Sequence, residues 1–348
     1  MLSPKNSPLG EQLSKYVCVR IVRMDNVDIG LFDYDRNNAI YFFAMNADEQ
    51  IYFRYGGRDS ASPDTYLHMQ SLELALKQGL TLHQRYQKNE LVKVPRPKPM
   101  NPREVPLLVK RTFATGACVE CHLIGDYMNL EREEKGTLDK VTHLYRSPDL
   151  KTIGLHLDVP QGLLLKETQG AAAQAGLKAG DRLTQLNGTP VTTFGDIQYR
   201  YDQLDRKAKE LKLTADRAGQ PVDVTVALPP RWWWTDLRFR QSSVDPRLYF
   251  EDRPLSAGQR TKLGLKPDGF SSEVKHVPDF ARIMKVHDLK TGDIIVAVDG
   301  IESDELAHTA ELYLKLRKNV GDAVMLDVLR DGKKIKLPLK SVRMSFRK

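Results

Sequence analysis

The chain has 348 residues, with only three cysteines and no long apolar run. Three cysteines cannot build a disulfide framework. No apolar stretch approaches the roughly 20 residues that cross a bilayer, and the first residues lack the basic start and apolar stretch of a signal peptide. Gly-x-Ser-x-Gly, His-Glu-x-x-His and phosphate-binding glycine loops are also missing. Hydrolysis is therefore unsupported.

The net charge of +8 arises from 53 basic and 45 acidic residues scattered along the chain. Basic residues are concentrated only over 333–348, where they alternate with apolar residues as on the solvated face of a strand. This pattern does not indicate nucleic-acid binding. The length predicts two or three domains, and 41% apolar residues are ordinary for a globular protein.

One phrase occurs twice in the chain. Ala175-Gly-Leu-Lys-Ala-Gly-Asp181 precedes the turn Asn187-Gly188, and His287-Asp-Leu-Lys-Thr-Gly-Asp293 precedes Asp299-Gly300, 112 positions later. A period of this length indicates two copies of a domain rather than a solenoid.

Other motifs accompany each copy. Ile153-Gly-Leu155 precedes the first phrase and Leu263-Gly-Leu265 the second, while each copy ends in a hairpin turn, Arg217-Ala-Gly219 or Arg330-Asp-Gly332. The order is strand, short helix, buried strand, tight turn, amphipathic helix and hairpin. With these motifs it resembles the PDZ domain in its bacterial arrangement. The resemblance implies two partly open β-barrels, the second degenerate.

A module of this kind binds peptides by strand addition, with the partner paired to an exposed sheet edge beside a helix. The predicted edge is Gly154–Asp158, and the N–H groups near Thr152 to Leu155 are expected to form a nest for a terminal carboxylate. The alternative is a groove filled by a neighbouring segment of the same chain. The predicted peptide-binding residues are Thr152, Ile153, Gly154, Leu155, Leu157, Phe194, Ile197 and Tyr201.

Cys118-Val-Glu-Cys121-His122 has the spacing of a c-type haem attachment motif. In this interpretation Cys118 and Cys121 hold a covalent haem c, His122 is an axial ligand, and Met128 is the first choice for the sixth ligand, with Met100 and His143 as others. The alternatives are a reversible Cys118–Cys121 disulfide, a metal site that includes His122, or none of these.

The N-terminal region reads as strands and one helix. Tyr16–Val22 is predicted to be a buried strand with Cys18 inside it, residues 39–45 and 50–55 a hairpin, and Ser62–Gly79 a helix. Strand, hairpin and closing helix correspond to the back half of a thioredoxin-like fold. Its redox-motif half is not in this chain.

The predicted class is therefore a multidomain α+β protein. Its expected parts are a truncated thioredoxin-like α/β region (1–91), a proline-rich linker (92–106), the Cys-x-x-Cys-His segment (107–149), the first PDZ-like domain (150–228), a tryptophan-rich connector (229–253) and the second PDZ-like domain (254–348).

The whole chain resembles the bacterial Trx7/PDZ protein family, some of whose members are selenoproteins. The motifs carrying this are Tyr16–Arg20, Phe32–Asp35, Arg54–Arg58, Cys118–His122, Arg231–Ser242 and Val320–Asp322. The resemblance implies a cell-envelope or periplasmic location and a redox setting. It leaves two hypotheses: an adaptor that binds protein C-termini or extended peptides, or an electron-transfer protein whose PDZ-like domains are structural. We also expect a longer native N-terminus that carries a signal sequence and a redox motif.

Overall fold

The computed structural model describes residues 4, 6–116, 119–235 and 246–343. It divides into two compact units, Met1–Gln241 and Ser242–Lys348. Among the described residues, no helix combines the length and apolar character needed to span a membrane.

The N-terminal region is a hairpin packed on a long helix. It contains α1 (Pro8–Leu13), β1 (Phe42–Met45), β2 (Ile51–Tyr55) and α2 (Met69–Gln87), with β1 and β2 antiparallel. Phe53, Leu72 and Leu76 form its core. The predicted hairpin is confirmed. The predicted helix begins later than expected, because the His68 side chain caps it by accepting from Gln70 N, so Tyr66 precedes the helix.

The strand predicted over Tyr16–Val22 is wrong. The segment is irregular and solvent-exposed: Val17 is 94% exposed, Val19 is 81% exposed, and Cys18 is exposed rather than buried. Its β-branched residues favour a strand only where a neighbour pairs with it, and the sheet formed by β1 and β2 has just those two strands.

We predict that limited trypsin digestion of the native protein cuts first after Arg20. Proteases cut extended, exposed backbone in preference to packed elements, and Arg20 lies in the exposed segment. N-terminal sequencing of the large fragment should begin at Ile21. Protection of this bond under conditions that cut elsewhere would contradict the exposed conformation.

Residues 92–149 connect this region to the first repeat through α3 (Pro106–Arg111), α4 (Cys121–Glu134) and α5 (Lys140–Leu144). The proline-rich stretch has no regular structure up to Asn101 and forms a short 3-10 turn at Pro102–Glu104, and it is held in place. Ile29 N donates to Met100 O at 2.8 Å, and Arg96 forms an ion pair with Asp28 at 2.8 Å. It therefore packs along the N-terminal region.

The first repeat has the predicted element order. It comprises β3 (Leu155–Leu157), β4 (Leu165–Thr168), α6 (Gly170–Gln174), β5 (Arg182–Leu186), β6 (Thr189–Pro190), α7 (Phe194–Asp202), β7 (Glu210–Arg217) and β8 (Gln220–Ala227). Strands β3 and β4 form one sheet, and the order β6-β5-β7-β8 forms another.

The second repeat forms one five-stranded sheet in the order β13-β12-β11-β10-β9. Its elements are β9 (Glu251–Pro254), α8 (Ala257–Lys262), β10 (Ser272–His276), α9 (Asp279–Ile283), β11 (Ile294–Val298), α10 (Ala310–Arg317), β12 (Ala323–Arg330) and β13 (Lys333–Lys340).

The repeated Gly-Asp and Arg-x-Gly motifs form the same ion pair in both copies. Arg217 Nε lies 2.7 Å from Asp181 Oδ1, and Arg330 Nη2 lies 2.6 Å from Asp293 Oδ2. Both aspartates are almost fully buried. A buried carboxylate needs such a partner, so each repeat joins its central turn to its final hairpin in the same way.

The motif Leu263-Gly-Leu265 does not have the role of Ile153-Gly-Leu155. It follows the end of α8, where Gly264 has φ +66°. In the second repeat β9 pairs with β10 as β3 pairs with β4. Tyr249, with φ +55°, therefore occupies the position of Gly154.

Candidate functional site

Strand β3 offers one free edge. Gly154 O accepts from Gln169 N and Asp158 N donates to Leu164 O, both on the β4 side. Because backbone groups alternate along a strand, the amides of Leu155 and Leu157 point to the opposite edge. No other strand within the described residues pairs with β3.

Helix α7 forms the second wall of a potential groove. Thr193 caps it, and Asp196 completes a capping box. The predicted peptide-binding residues of this helix, Phe194, Ile197 and Tyr201, are buried, and the latter two have no exposed surface. The hydroxyls of Tyr201 and Thr152 lie 3.0 Å apart, which joins α7 to the turn before β3.

The nest predicted at Thr152–Leu155 is largely filled by the chain itself. Residues 150–153 form a 3-10 turn. Lys151 N donates to Asp149 Oδ1 at 3.1 Å, Thr152 N to Asp149 O at 3.1 Å, and Gly154 N to Lys151 O at 3.0 Å. These N–H groups are therefore not available to a terminal carboxylate. Ile153 and Leu155 are core residues, each 1% exposed.

Gly154 is required at the end of this turn. Its φ is +85°, and a Cβ atom there would lie 1.9 Å from Gln169 O. Only glycine combines this backbone conformation with so close an approach.

A loop of the N-terminal region packs against α7 and against the turn before β3. Its residues 57–66 are called the groove loop below. The Tyr66 ring stacks on Phe194 with centroids 3.4 Å apart, and its hydroxyl donates to Asp149 Oδ1 at 2.8 Å. Burial raises the pKa of the Asp149 carboxyl. The end of the groove next to this turn is thus occupied by the chain itself, in line with the alternative interpretation of the sequence.

Asp196 links α7 to β2 of the N-terminal hairpin. Its Oδ1 accepts from Arg54 N at 2.8 Å, and its Oδ2 accepts from Thr192 N and Thr193 N at 3.2 Å. The Thr193 hydroxyl donates to Arg54 O. Burial raises the pKa of Asp196 to about 6, although Arg54 and these backbone N–H groups oppose the shift.

Beside Tyr66 the groove opens into a pocket of about 200 Å³ between α2 and the first repeat. Leu74 and Ala75 line it on one side, and Leu157, Arg182 and Phe194 on the other. Space for a side chain therefore adjoins the far end of β3.

Residues 167–213 match the family model of the PDZ domain. The first repeat therefore contains a PDZ domain, and it is called the PDZ domain below.

Curated relatives are similar over about half of the chain. The periplasmic pH-dependent serine endoprotease DegQ of Escherichia coli is 28% identical over 184 residues, which cover 52% of this chain and 37% of DegQ. A probable periplasmic DegP-like serine endoprotease of Pseudomonas putida is 28% identical over 187 residues, 51% of this chain and 37% of the relative. The chain thus spans well under half the length of either relative.

The solved structures include the HtrA-type protease AlgW with a tripeptide, which is 21% identical. The superposition covers 51% of this chain and 58% of the AlgW chain, with a TM-score of 0.27.

In the second repeat, hydrogen bonds join the strand and the helix that correspond to β3 and α7. Asp252 of β9 accepts from the Ser272 hydroxyl and from Glu311 N, the latter at 3.0 Å. Burial raises the pKa of Asp252. Burial also raises the pKa of Glu311 to about 7, against the effect of Lys315. Strand β9 is therefore joined directly to the first turn of α10.

Of the Cys-x-x-Cys-His motif, Cys118 lies outside the described residues. Cys121 is the first residue of α4. Burial raises the pKa of the Tyr34 hydroxyl, and the Cys121 thiol adds to this shift. His122 Nε2 lies 2.8 Å from Glu120 Oε2, and Nδ1 lies 3.5 Å from Asp126 Oδ2.

Met128 is not placed to share an iron with His122. Both residues belong to α4 and lie about 9 Å apart along its axis, so the structure does not bring these two predicted ligands together. Within the described ranges, no group of three or more His, Cys, Asp or Glu side chains is arranged to hold a metal ion. Covalent haem and a metal at His122 remain predictions.

The sequence interpretation missed three residues of this site: Asp196, Asp149 and Tyr66. Asp196 had a local signal, because Thr193-x-x-Asp196 matches the capping-box pattern. Asp149 also had one, because it precedes a short turn that it caps. Tyr66 had none, because its partners lie more than 80 positions away.

We predict that Asp196→Asn destabilises the first unit by an amount that depends on pH. The amide loses the acceptor for Thr192 and Thr193, at a cost of about 1–3 kcal/mol. The folded pKa of about 6 exceeds the unfolded value of about 3.9, so the wild type loses stability as pH rises from about 4 to 6. This pH-dependent contribution to the free energy of unfolding is on the order of 3 kcal/mol. The variant lacks it, because an asparagine side chain does not titrate.

The measurement is urea unfolding at pH 4 and pH 7 followed by tryptophan fluorescence, because all three tryptophans are residues 232–234 of the first unit. The stability advantage of the wild type over the variant should be larger at pH 4. A difference that is independent of pH would refute the raised pKa.

Proposed function

We propose that this chain is a peptide-binding adaptor of the cell envelope whose PDZ domain captures extended peptides by strand addition. The observation that carries the proposal is the outward edge of β3 beside α7, where the amides of Leu155 and Leu157 point away from β4. Main-chain pairing at such an edge provides affinity, and pockets beside it provide specificity.

The envelope location is supported by the names of the relatives, which are periplasmic. The internal hydrogen bonds of Lys151, Thr152 and Gly154 favour extended or internal segments over free C-termini, because the donors for a carboxylate are already used. The direct bond between Asp252 and α10 leaves the second repeat a structural role.

Leu157→Pro should weaken peptide binding strongly. Proline removes the outward N–H of an edge strand while leaving the β4 side intact. Leu157→Ala is the matched control, because it loses a similar side chain and keeps the N–H. We expect hits selected on the full chain from a displayed peptide library to lose at least about tenfold in affinity with proline and much less with alanine.

Fluorescence anisotropy with each hit as a free acid and as an amide completes the test. The two forms should bind alike. Equal binding by the proline and alanine variants would contradict strand addition, and hits that bind only as free acids would restore the terminal-carboxylate interpretation.

A second candidate function is redox chemistry at Cys118 and Cys121. It is favoured by the position of the Cys121 thiol at the start of α4 against Tyr34. The interactions of His122 with Glu120 and Asp126 favour a dithiol over haem, because they involve both ring nitrogens. Oxidation joins the two thiols as a disulfide and transfers two electrons and two protons to an oxidant such as oxidised glutathione.

Expression with cytochrome c maturation machinery distinguishes haem from the dithiol. For the dithiol we expect no Soret band, and an intact mass that falls by two hydrogen atoms on oxidation and returns with dithiothreitol. All proteins in this test carry Cys18→Ser, which removes the exposed third thiol. On that background, Cys118→Ala or Cys121→Ala should remove the mass change. A Soret band with a haem mass increment, lost in both alanine variants, would establish haem instead.

A further inference from the structure

A hydrogen bond joins the two ends of the groove loop. Tyr66 N donates to Gly57 O at 3.4 Å, and Gly56 and Gly57 have φ of +140° and +138°. A Cβ at Gly57 would lie 2.3 Å from Phe194 Cδ1. The glycine pair thus lets the loop approach α7 and also forms a natural hinge at its base.

Tyr66 bridges α7 and the turn before β3. Its ring lies flat on Phe194 of α7, with an interplanar angle of 12°, and its hydroxyl reaches Asp149 of the opposite turn. The side chain is 5% exposed. It combines an apolar body with one directed donor, as a peptide anchor does.

Two further contacts hold the loop from either wall. Gln198 Nε2 of α7 donates to Arg58 O at 3.3 Å. Lys151 Nζ, in the turn before β3, forms an ion pair with Asp59 Oδ2 at 2.7 Å. Asp59 is almost buried, whereas the Lys151 side chain is 41% exposed. The PDZ domain therefore contacts the loop in three ways: by a hydrogen bond to its backbone, by an ion pair, and by stacking on the ring of Tyr66.

We infer that the groove loop is a resident ligand of the PDZ domain, and that an outside peptide binds by displacing it. This inference rests on the proposed function. A tethered ligand competes at an effective concentration in the millimolar range. Modest contacts are therefore enough to exclude weak partners.

The same contacts define the chemistry of the displacing peptide. Phe194 offers a flat apolar face and Asp149 an acceptor, so the site selects a phenol over a phenyl ring. The preferred partner is an extended segment that carries a tyrosine, close to an acidic residue able to take the place of Asp59 at Lys151.

The probe is a labelled peptide of residues 57–68, acetylated and amidated, titrated into the full chain. Tyr66→Ala should bind it at least about tenfold more tightly than the wild type, because the tethered competitor is lost. A peptide with phenylalanine at the position of Tyr66 should bind that variant about fivefold more weakly, because it lacks one hydrogen bond.

Tyr66→Phe keeps the ring and removes only the hydroxyl, so it tests the inference even if Tyr66→Ala fails to fold. It should bind the probe more tightly than the wild type does. Tyr52→Phe is the matched control, because its hydroxyl contacts Asn46 and His83 within the N-terminal region. It should bind the probe as the wild type does.

The outcomes separate the two proposals. If library peptides bind the wild type and both Tyr66 variants equally, displacement is wrong and peptide binding stands. If the probe does not bind Tyr66→Ala, or binds it no better than the wild type, the loop is not a ligand of the groove. If neither probe nor library peptide binds any folded variant, both proposals fail.

Discussion

The carboxylate of Asp196 is the contact on which the first unit depends. One of its oxygens accepts from Thr193 N at the start of α7, and the other accepts from Arg54 N of the N-terminal hairpin. One buried group therefore sets both the start of the helix and its distance from the hairpin. A buried carboxylate is tolerated only where donors surround it. The groove of the PDZ domain consequently has one wall whose position is set by the N-terminal hairpin.

The other end of α7 is held by a second polar network. Asp202 is buried between Arg146 and Arg206, with oxygen–nitrogen distances of 2.5 and 2.7 Å, and Trp232 packs on Tyr201. These contacts connect the segment before the PDZ domain and the connector after it to the same helix. Trp232 and Trp233 of the connector are thus buried within the first unit.

The features predictable from the sequence were local. Paired glycine turns, the Thr193 cap and the alternation of the hairpin strands depend on neighbouring residues, and each appears in the structure. One error has a non-local cause, because Val17 and Val19 have strand propensity but no neighbouring strand pairs with them. Another has a local cause that the sequence analysis overlooked, because Asp149 already accepts from Lys151 N and Thr152 N, in the segment that was assigned to a ligand. Tyr66 lay in a predicted helix because its periodicity fitted, while its contacts with Phe194 and Asp149 leave no local signature.

The ion pairs Asp181–Arg217 and Asp293–Arg330 lie wholly within their own repeats. Each repeat therefore holds its final hairpin in place with an ion pair of its own and does not need the other repeat for this. After a duplication, such a copy is free to alter the surface between strand and helix without losing its fold. The chain displays both results: one copy has a space that admits a loop, and in the other Asp252 bridges the same space.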